Sequence, residues 1–174
     1  DFMELMFKAS GILQRGKGLT FDDVLLIPRH SEIASRKNTN LQTKVTKNHS
    51  IDIPIIAANM DTVTGKEMAC AMAKLGGLGI LHRFMSPEEQ VEDVKFIQRY
   101  YKEHGINLPI AASVGVKEEG KLRADLLANE GVEILTIDIA HGDSIMMMEV
   151  LEYVKNKYPH VDVIAGNVAT ADGV

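Results

Sequence analysis

The chain of 174 residues is long enough to bury a proper core as one domain, and 45% hydrophobic with 25% charged residues is ordinary for a globular protein. A formal net charge of -5 and an isoelectric point near 5.7 argue against a broad nucleic-acid surface, because phosphate binding needs clustered Lys and Arg, although a local anion pocket remains allowed. The single cysteine, Cys70, excludes an internal disulfide framework and fits a reducing compartment.

No run approaches the roughly 18 to 20 apolar residues needed to cross a bilayer, and Asp1-Phe-Met-Glu-Leu-Met-Phe-Lys8 mixes charge with apolar groups unlike a signal peptide. The expectation is a cytoplasmic enzyme with no membrane or nucleic-acid partner. Asn48-His49-Ser50 matches a glycosylation sequon, which in a cytosolic chain is a chance match. A start at Asp1 reads as a missing N-terminus, and a helix that begins near Thr170 and stops at Val174 predicts further sequence downstream.

Taken in order, residues 1–17 read as an N-terminal amphipathic segment and linker, with Gly11, Gly16 and Gly18 as punctuation. Thr20-Phe-Asp-Asp-Val-Leu-Leu-Ile-Pro28 predicts a short strand-like entry stopped by Pro28. In the polar stretch 29–50, alternation at Leu41, Thr43 and Val45 predicts a small hairpin outside the main fold. From residue 53 apolar runs alternate with helical patterns: strands at 53–58, 78–82, 109–114, 132–138 and 161–166, helices near 65–75, 87–103, 117–130 and 144–158. Ser86-Pro-Glu-Glu89 combines an N-cap, a proline at the first helical position and a capping-box Glu, and Thr64-Gly-Lys-Glu67 is a second capping-box candidate. Short connections between alternating strands and helices give βαβ units and a parallel sheet. Five strands fit an open doubly wound sheet or five-eighths of a barrel, and periodicity alone does not decide.

The stretch Glu133-Ile-Leu-Thr-Ile-Asp-Ile-Ala-His-Gly-Asp-Ser144 is the most informative. Ile134, Leu135 and Ile137 make a run suited to a strand buried on both faces, which delivers Asp138 at its C-terminal end. Ser144 then stands where an N-cap belongs, ahead of Met147, Val150, Leu151 and Val154 at helical spacing. A carboxylate there is costly unless something uses or pairs it, and this is the rim where α/β sheets and barrels bind ligands. Three other strand ends are polar: Asn59-Met60-Asp61-Thr62, His82-Arg83, and Asn167 with Thr170. For Asp61, Thr62 and Thr170, helix capping competes evenly with ligand contact; for Asp138, placement favours the ligand.

Other features read as structural. Gly76-Gly77-Leu78-Gly79 precedes a strand instead of following one, so it is a helix end and not a phosphate loop. Cys70, beside Met68 and Met72, reads as core packing and not as a nucleophile. Met146, Met147 and Met148 read as helix packing, and the charges along 117–130 as a solvated helix face. His30, His49, His104 and His160 have no metal-site spacing.

Four motifs in order, Leu19-Thr-Phe-Asp-Asp-Val-Leu-Leu26, Pro54-Ile-Ile-Ala-Ala-Asn-Met-Asp-Thr-Val63, Ile137-Asp-Ile-Ala-His-Gly142 and Ala165-Gly-Asn-Val-Ala-Thr170, resemble the IMP dehydrogenase / GMP reductase family over residues 18–174. The resemblance implies a (β/α)8 TIM barrel, of which the chain covers the first five strand-helix units, and a homotetramer acting on a purine nucleoside 5′-monophosphate. It implies a nucleophilic cysteine on a loop beyond Val174, NADPH or NAD as cofactor, and a monovalent cation site beyond the covered residues. The run from Glu92 to Pro109 leaves no room for the tandem regulatory domain usual in dehydrogenases. Asn59, the pair Ser35-Arg36 and His82-Arg83-Phe84 resemble reductases, whereas Met60-Asp-Thr-Val-Thr64 and Gly76-Gly-Leu-Gly-Ile-Leu81 resemble dehydrogenases. By this resemblance Asp138, Ala140, Ser35, Arg36 and Arg83 would bind the cofactor, and Asn59, Met60, Gly166 and Asn167 the nucleotide. The reading is GMP reductase; the alternatives are an IMP dehydrogenase without the insert and a non-catalytic half-barrel that binds a partner through its open sheet edges.

Overall fold

The computed structural model describes residues 20–174, so the N-terminal segment predicted at 1–17 lies outside the described residues. The described residues fall into two units, one ending at Thr39 and the other spanning Asn40–Val174. In the first, the predicted strand-like entry is instead a 3-10 turn, Phe21–Asp23. The Asp23 carboxylate accepts the Thr20 backbone N–H at 2.8 Å and its hydroxyl at 3.1 Å. That local bond favours a turn over a ladder; Val24 after it is extended, and residues 24–35 join no strand among the described residues. A second 3-10 turn, Arg36–Asn38, is capped by Ser35, whose hydroxyl accepts from the Lys37 N–H.

The second unit begins with the expected hairpin, β1 (Thr43–Lys44) antiparallel to β2 (Ser50–Ile51). Five parallel strands follow in sequential order: β3 (Ile56–Ala57), β4 (Leu78–Leu81), β5 (Ala111–Val114), β6 (Ile134–Asp138) and β7 (Asp162–Gly166). They alternate with helices α1 (Lys66–Lys74), α2 (Pro87–His104), α3 (Lys117–Asn129) and α4 (Ile145–Lys157). The strand period of two divides the sheet's side chains between two cores. Leu81, Ala112, Val114, Leu135 and Ile137 pack with the helices, while Leu78, Ile80, Ala111 and Ile134 pack on the opposite, inner face with Ile51 of the hairpin. Each fully buried Leu, Ile or Val contributes roughly 1.5–3 kcal/mol. Gly79 faces α1 so closely that a Cβ would lie 2.6 Å from the Ala69 Cα. No larger residue fits there without parting α1 from β4.

Helix ends show which local signals prevailed. Ser86 caps α2 as its sequence predicts, accepting from the Glu89 N–H while Glu89 accepts from the Ser86 N–H. Ser144 caps α4 through the Met147 N–H. Thr64, in contrast, caps nothing: it is fully buried and donates its hydroxyl to the Ala58 carbonyl at 2.6 Å, leaving Gly65 as the N-cap of α1. Gly76 ends α1 with φ 87°, and a Cβ there would lie 2.8 Å from that of Asp52, so the glycine run is a helix end as expected.

Two further expectations need correction. Arg123 is not part of a solvated face: it is 5% exposed and is held by Glu119, Gln90 and Met85. Of the three methionines, only Met147 packs inward, while Met146 and Met148 are exposed, because consecutive helical residues diverge by about 100°. The inner face at the N-terminal end of β7 carries a second strand carboxylate, Asp162, which accepts from Thr46 Oγ1 at 2.6 Å, the Asn48 N–H at 2.9 Å and Asn48 Nδ2 at 2.7 Å. It pins the hairpin across the bottom of the sheet. Loops from both edge strands, β3 and β7, meet in one hollow. Flat strands about 4.8 Å apart would hold those edges roughly 19 Å from each other, so the five strands curl into half a barrel.

Candidate functional site

The hollow lies at the C-terminal ends of the strands, encloses about 530 Å³ and is lined by Asn59, Met60, Asp61, Thr62, Phe84, Asp138 and Asn167. Its walls are loops whose backbones are tied down. After β3 the chain folds on itself: the Met60 N–H donates to the Ala58 carbonyl at 2.8 Å, and the N–H groups of Val63 and Thr64 donate to the Met60 carbonyl. Buried Thr64 bonds Ala58 from within and accepts the His82 N–H at its carbonyl, 3.1 Å, which locks this loop to the end of β4.

After β6 and β7 the two loops are stitched together. Asp138 and Gly166 are register partners at the last position of the ladder. Beyond it the Ile139 N–H donates to Gly166, the Asn167 N–H donates to Ile139 at 2.7 Å, and the Gly142 N–H donates to Asn167 at 2.7 Å. The Asn167 side-chain amide also donates to Ile139. Gly142 is buried against this stitch, and a Cβ there would fall 2.8 Å from the Asn167 carbonyl oxygen.

Asp138 is half-buried on the inner face, in line with Ile134 and Thr136 below it. Among the described residues its carboxylate has no hydrogen-bond or ion-pair partner, unlike Asp162 at the other end of the sheet. An ionised carboxylate is acceptor-only, so Asp138 offers lone pairs to a ligand's hydroxyl or N–H groups. Beside it the rim is apolar: Met60 and Phe84 line the hollow and are each 55% exposed.

Arg83 follows β4. Its guanidinium lies 5.0 Å from the Phe84 ring centre and packs on Gly115, where a Cβ would come within 3.5 Å of the guanidinium carbon. Its Nε is buried without a partner, and no charge neutralises it among the described residues. His82 is buried, with Nδ1 accepting the Phe84 N–H at 3.1 Å. That assigns the proton of the neutral ring to Nε2.

Four of the predicted residues, Asn59, Met60, Asp138 and Asn167, therefore line one hollow, with Gly166 paired to Asp138 beneath them. Ala140 is exposed on the loop after Asp138, and Arg83 stands beside Phe84 without lining the hollow. Ser35 and Arg36 belong to the first unit. Phe84 was missed as a site residue; its signal was an aromatic three residues past the end of β4. A larger hollow, about 680 Å³, runs along α2 between Lys66, Phe84 and Met85 and carries the carboxylates of Glu88, Glu89, Glu92 and Asp93. Lys66 is already bonded to Asp93 at 2.7 Å, so that hollow repels an anionic ligand. Cys70 is buried in α1, and burial pushes its thiol up to about 11.

The family model described as the IMP dehydrogenase / GMP reductase domain matches residues 18–174. An inosine-5'-monophosphate dehydrogenase of Cryptosporidium parvum is 36% identical over 194 aligned positions, covering 90% of this chain and 48% of the relative. A GMP reductase of Pediococcus pentosaceus is 36% identical over 160 positions, 91% of this chain and 47% of the relative. A GMP reductase of Leishmania donovani is 52% identical over 83 positions, 48% of this chain and 17% of the relative. The chain thus spans about half the length of the first two relatives. With a match over nearly its whole length, laid on a five-stranded half of a (β/α)8 barrel, the chain belongs to the IMP dehydrogenase / GMP reductase family.

Proposed function

We propose that the full-length protein is a GMP reductase, converting GMP and NADPH to IMP, ammonia and NADP. The observation that carries a nucleotide-cofactor site is Asp138, an unpartnered carboxylate at the rim of β6 facing a hollow with Asn59, Met60 and Asn167. A carboxylate at a strand end is suited to accept hydrogen bonds from ribose hydroxyls, here those of the nicotinamide ribose, with Ala140 packing alongside. The unneutralised Arg83 supplies donors for the cofactor's phosphates, and Ser35 and Arg36 are assigned to the cofactor by the family resemblance alone. Asn59 and Met60 bind beneath the purine, and Gly166 and Asn167 form the floor near the reacting carbon. The stitch between 139–142 and Asn167 holds ribose acceptor and floor in one register, and Phe84 and Met60 exclude water from the ring between them.

The cofactor supplies the hydride when bound. The nucleophilic thiol falls outside residues 1–174 in this reading, since Cys70 is buried and strongly disfavoured as a thiolate. The reductase choice is supported by Asn59, by Ser35-Arg36, by the short connection 105–110 between α2 and β5, and by the Leishmania donovani relative. The second reading, an IMP dehydrogenase using NAD, is supported by the Cryptosporidium parvum relative and by the segments 60–64 and 76–81. In either case the protein is taken to work as a cytoplasmic homotetramer.

Full-length protein incubated with GMP and NADPH, and separately with IMP and NAD, tests the choice. Loss of NADPH with GMP and no NADH from IMP is the expected result; NADH from IMP with NADPH untouched by GMP would assign the dehydrogenase. An intact mass near 19.2 kDa for the natural protein, with no turnover of either pair, would favour the binding module instead.

A further inference from the structure

We infer that Gln90 and Arg123, neither of which touches the hollow, are positioning residues that set the loop bearing Arg83 and Phe84 and thereby the protein's affinity for its nicotinamide cofactor. The inference rests on the oxidoreductase reading above. The β4–β5 ladder is recorded at Ile80↔Ala111 and Leu81↔Ala112. Past it, the carbonyls of His82 and Ser113 would be buried acceptors at a strand end, each costing about 1–3 kcal/mol if unpaired. Gln90, fully buried on α2, donates its side-chain amide to both, at 3.0 Å each, and so extends the ladder by one rung.

The amide orientation is fixed by Arg123 on α3, which donates from Nη1 to Gln90 Oε1 at 2.9 Å. Turned the other way, Gln90 would face two carbonyls with an oxygen and the guanidinium with an NH2. Arg123 also donates from Nη2 to the Met85 carbonyl at 2.9 Å, and Glu119 balances its charge through Nε at 2.7 Å. The loop is therefore gripped at His82 by Gln90 and at Met85 by Arg123, with Arg83 and Phe84 between the two grips. Lysine has three donors on one nitrogen and cannot reproduce the fork.

The test uses full-length protein carrying Gln90→Leu, Arg123→Lys or, as a control on the exposed face of α2, Lys95→Ala. Amide exchange followed by mass spectrometry reads the loop directly and does not depend on which nucleotide pair turns over. Gln90→Leu and Arg123→Lys are expected to speed exchange in 82–86 about tenfold and raise the cofactor Michaelis constant by a similar factor, with kcat within about twofold and exchange in 134–138 unchanged. Lys95→Ala is expected to match the parent. Unchanged exchange in 82–86 would overturn the proposal. So would exchange raised evenly through the molecule with a fall in Tm, the mark of plain core damage. Local loosening with an unmoved cofactor constant would also overturn it. If neither nucleotide pair turns over, the functional reading fails separately, and the loop's exchange still decides whether the grip exists.

Discussion

Asp162→Ala isolates what the hairpin anchor contributes. The wild-type carboxylate is 5% exposed and accepts three hydrogen bonds, with His49 Nε2 4.0 Å away. At roughly 1.5–3 kcal/mol for each bond to a charged group, a naive sum exceeds 4 kcal/mol. Two of the three donors belong to exposed Asn48 and regain water when the acceptor goes, so the expected loss is about 2–3 kcal/mol. Burial alone would raise the Asp162 carboxyl, but the bonds from Thr46 and Asn48 outweigh it and hold the group below the ordinary aspartate value. A carboxylate depressed in the folded state stabilises above its unfolded pKa and loses that contribution as pH falls through the folded one, so the window lies below about pH 4. Urea unfolding of full-length wild type and variant near pH 7 and near pH 3 measures both quantities. The gap is expected to be about 2–3 kcal/mol at neutral pH and to narrow in acid, with kcat and KM unchanged because the anchor lies at the opposite end of the strands from the hollow. A neutral-pH loss below about 0.5 kcal/mol, or a gap that widens in acid, would refute the reasoning.

Other outcomes follow from the same geometry. Gly142→Ala drives a Cβ to within 2.8 Å of the Asn167 carbonyl; it is expected to cost about 1–3 kcal/mol and to lower kcat/KM by at least tenfold, as urea unfolding and steady-state kinetics will show. Cys70, pushed up to about 11 by burial, should hold roughly one thiolate in ten thousand near pH 7. Thiol-reagent labelling read by peptide mass spectrometry is therefore expected to leave it unmodified until the protein is unfolded, and stoichiometric native labelling would contradict its placement.

The fold was legible where signals are local. Apolar runs located β4 to β7, spacing located the helices, and Ser86-Pro-Glu-Glu89 capped its own helix as written. What failed depends on partners distant in sequence. Thr64 has a capping residue's chemistry but found a closer acceptor in Ala58. Arg123 reads as surface charge until Gln90 and Met85, more than 30 residues away, surround it. Asp162 occupies a buried strand just as Asp138 does, yet only the fold shows that the hairpin residues Thr46 and Asn48, 116 and 114 residues upstream, engage it. The placement of Asp138 was legible because an otherwise largely apolar strand run ends on it. Phe84 was not, because an exposed aromatic acquires meaning only when a curled sheet brings the loops of β3, β6 and β7 to its side.

The two strand carboxylates lie at opposite ends: Asp162 holds the bottom, and Asp138 lines the hollow where we propose that the cofactor binds. Kinetics of full-length Asp138→Ala measured beside its urea unfolding test that proposal most directly. Losing ribose bonds worth roughly 1.5–3 kcal/mol is expected to raise the cofactor KM, or lower kcat/KM, by about 10- to 150-fold, with stability within about 0.5 kcal/mol of wild type. Near-normal kinetics together with a destabilised fold would show that Asp138 is another structural anchor, and would remove the cofactor site from this rim.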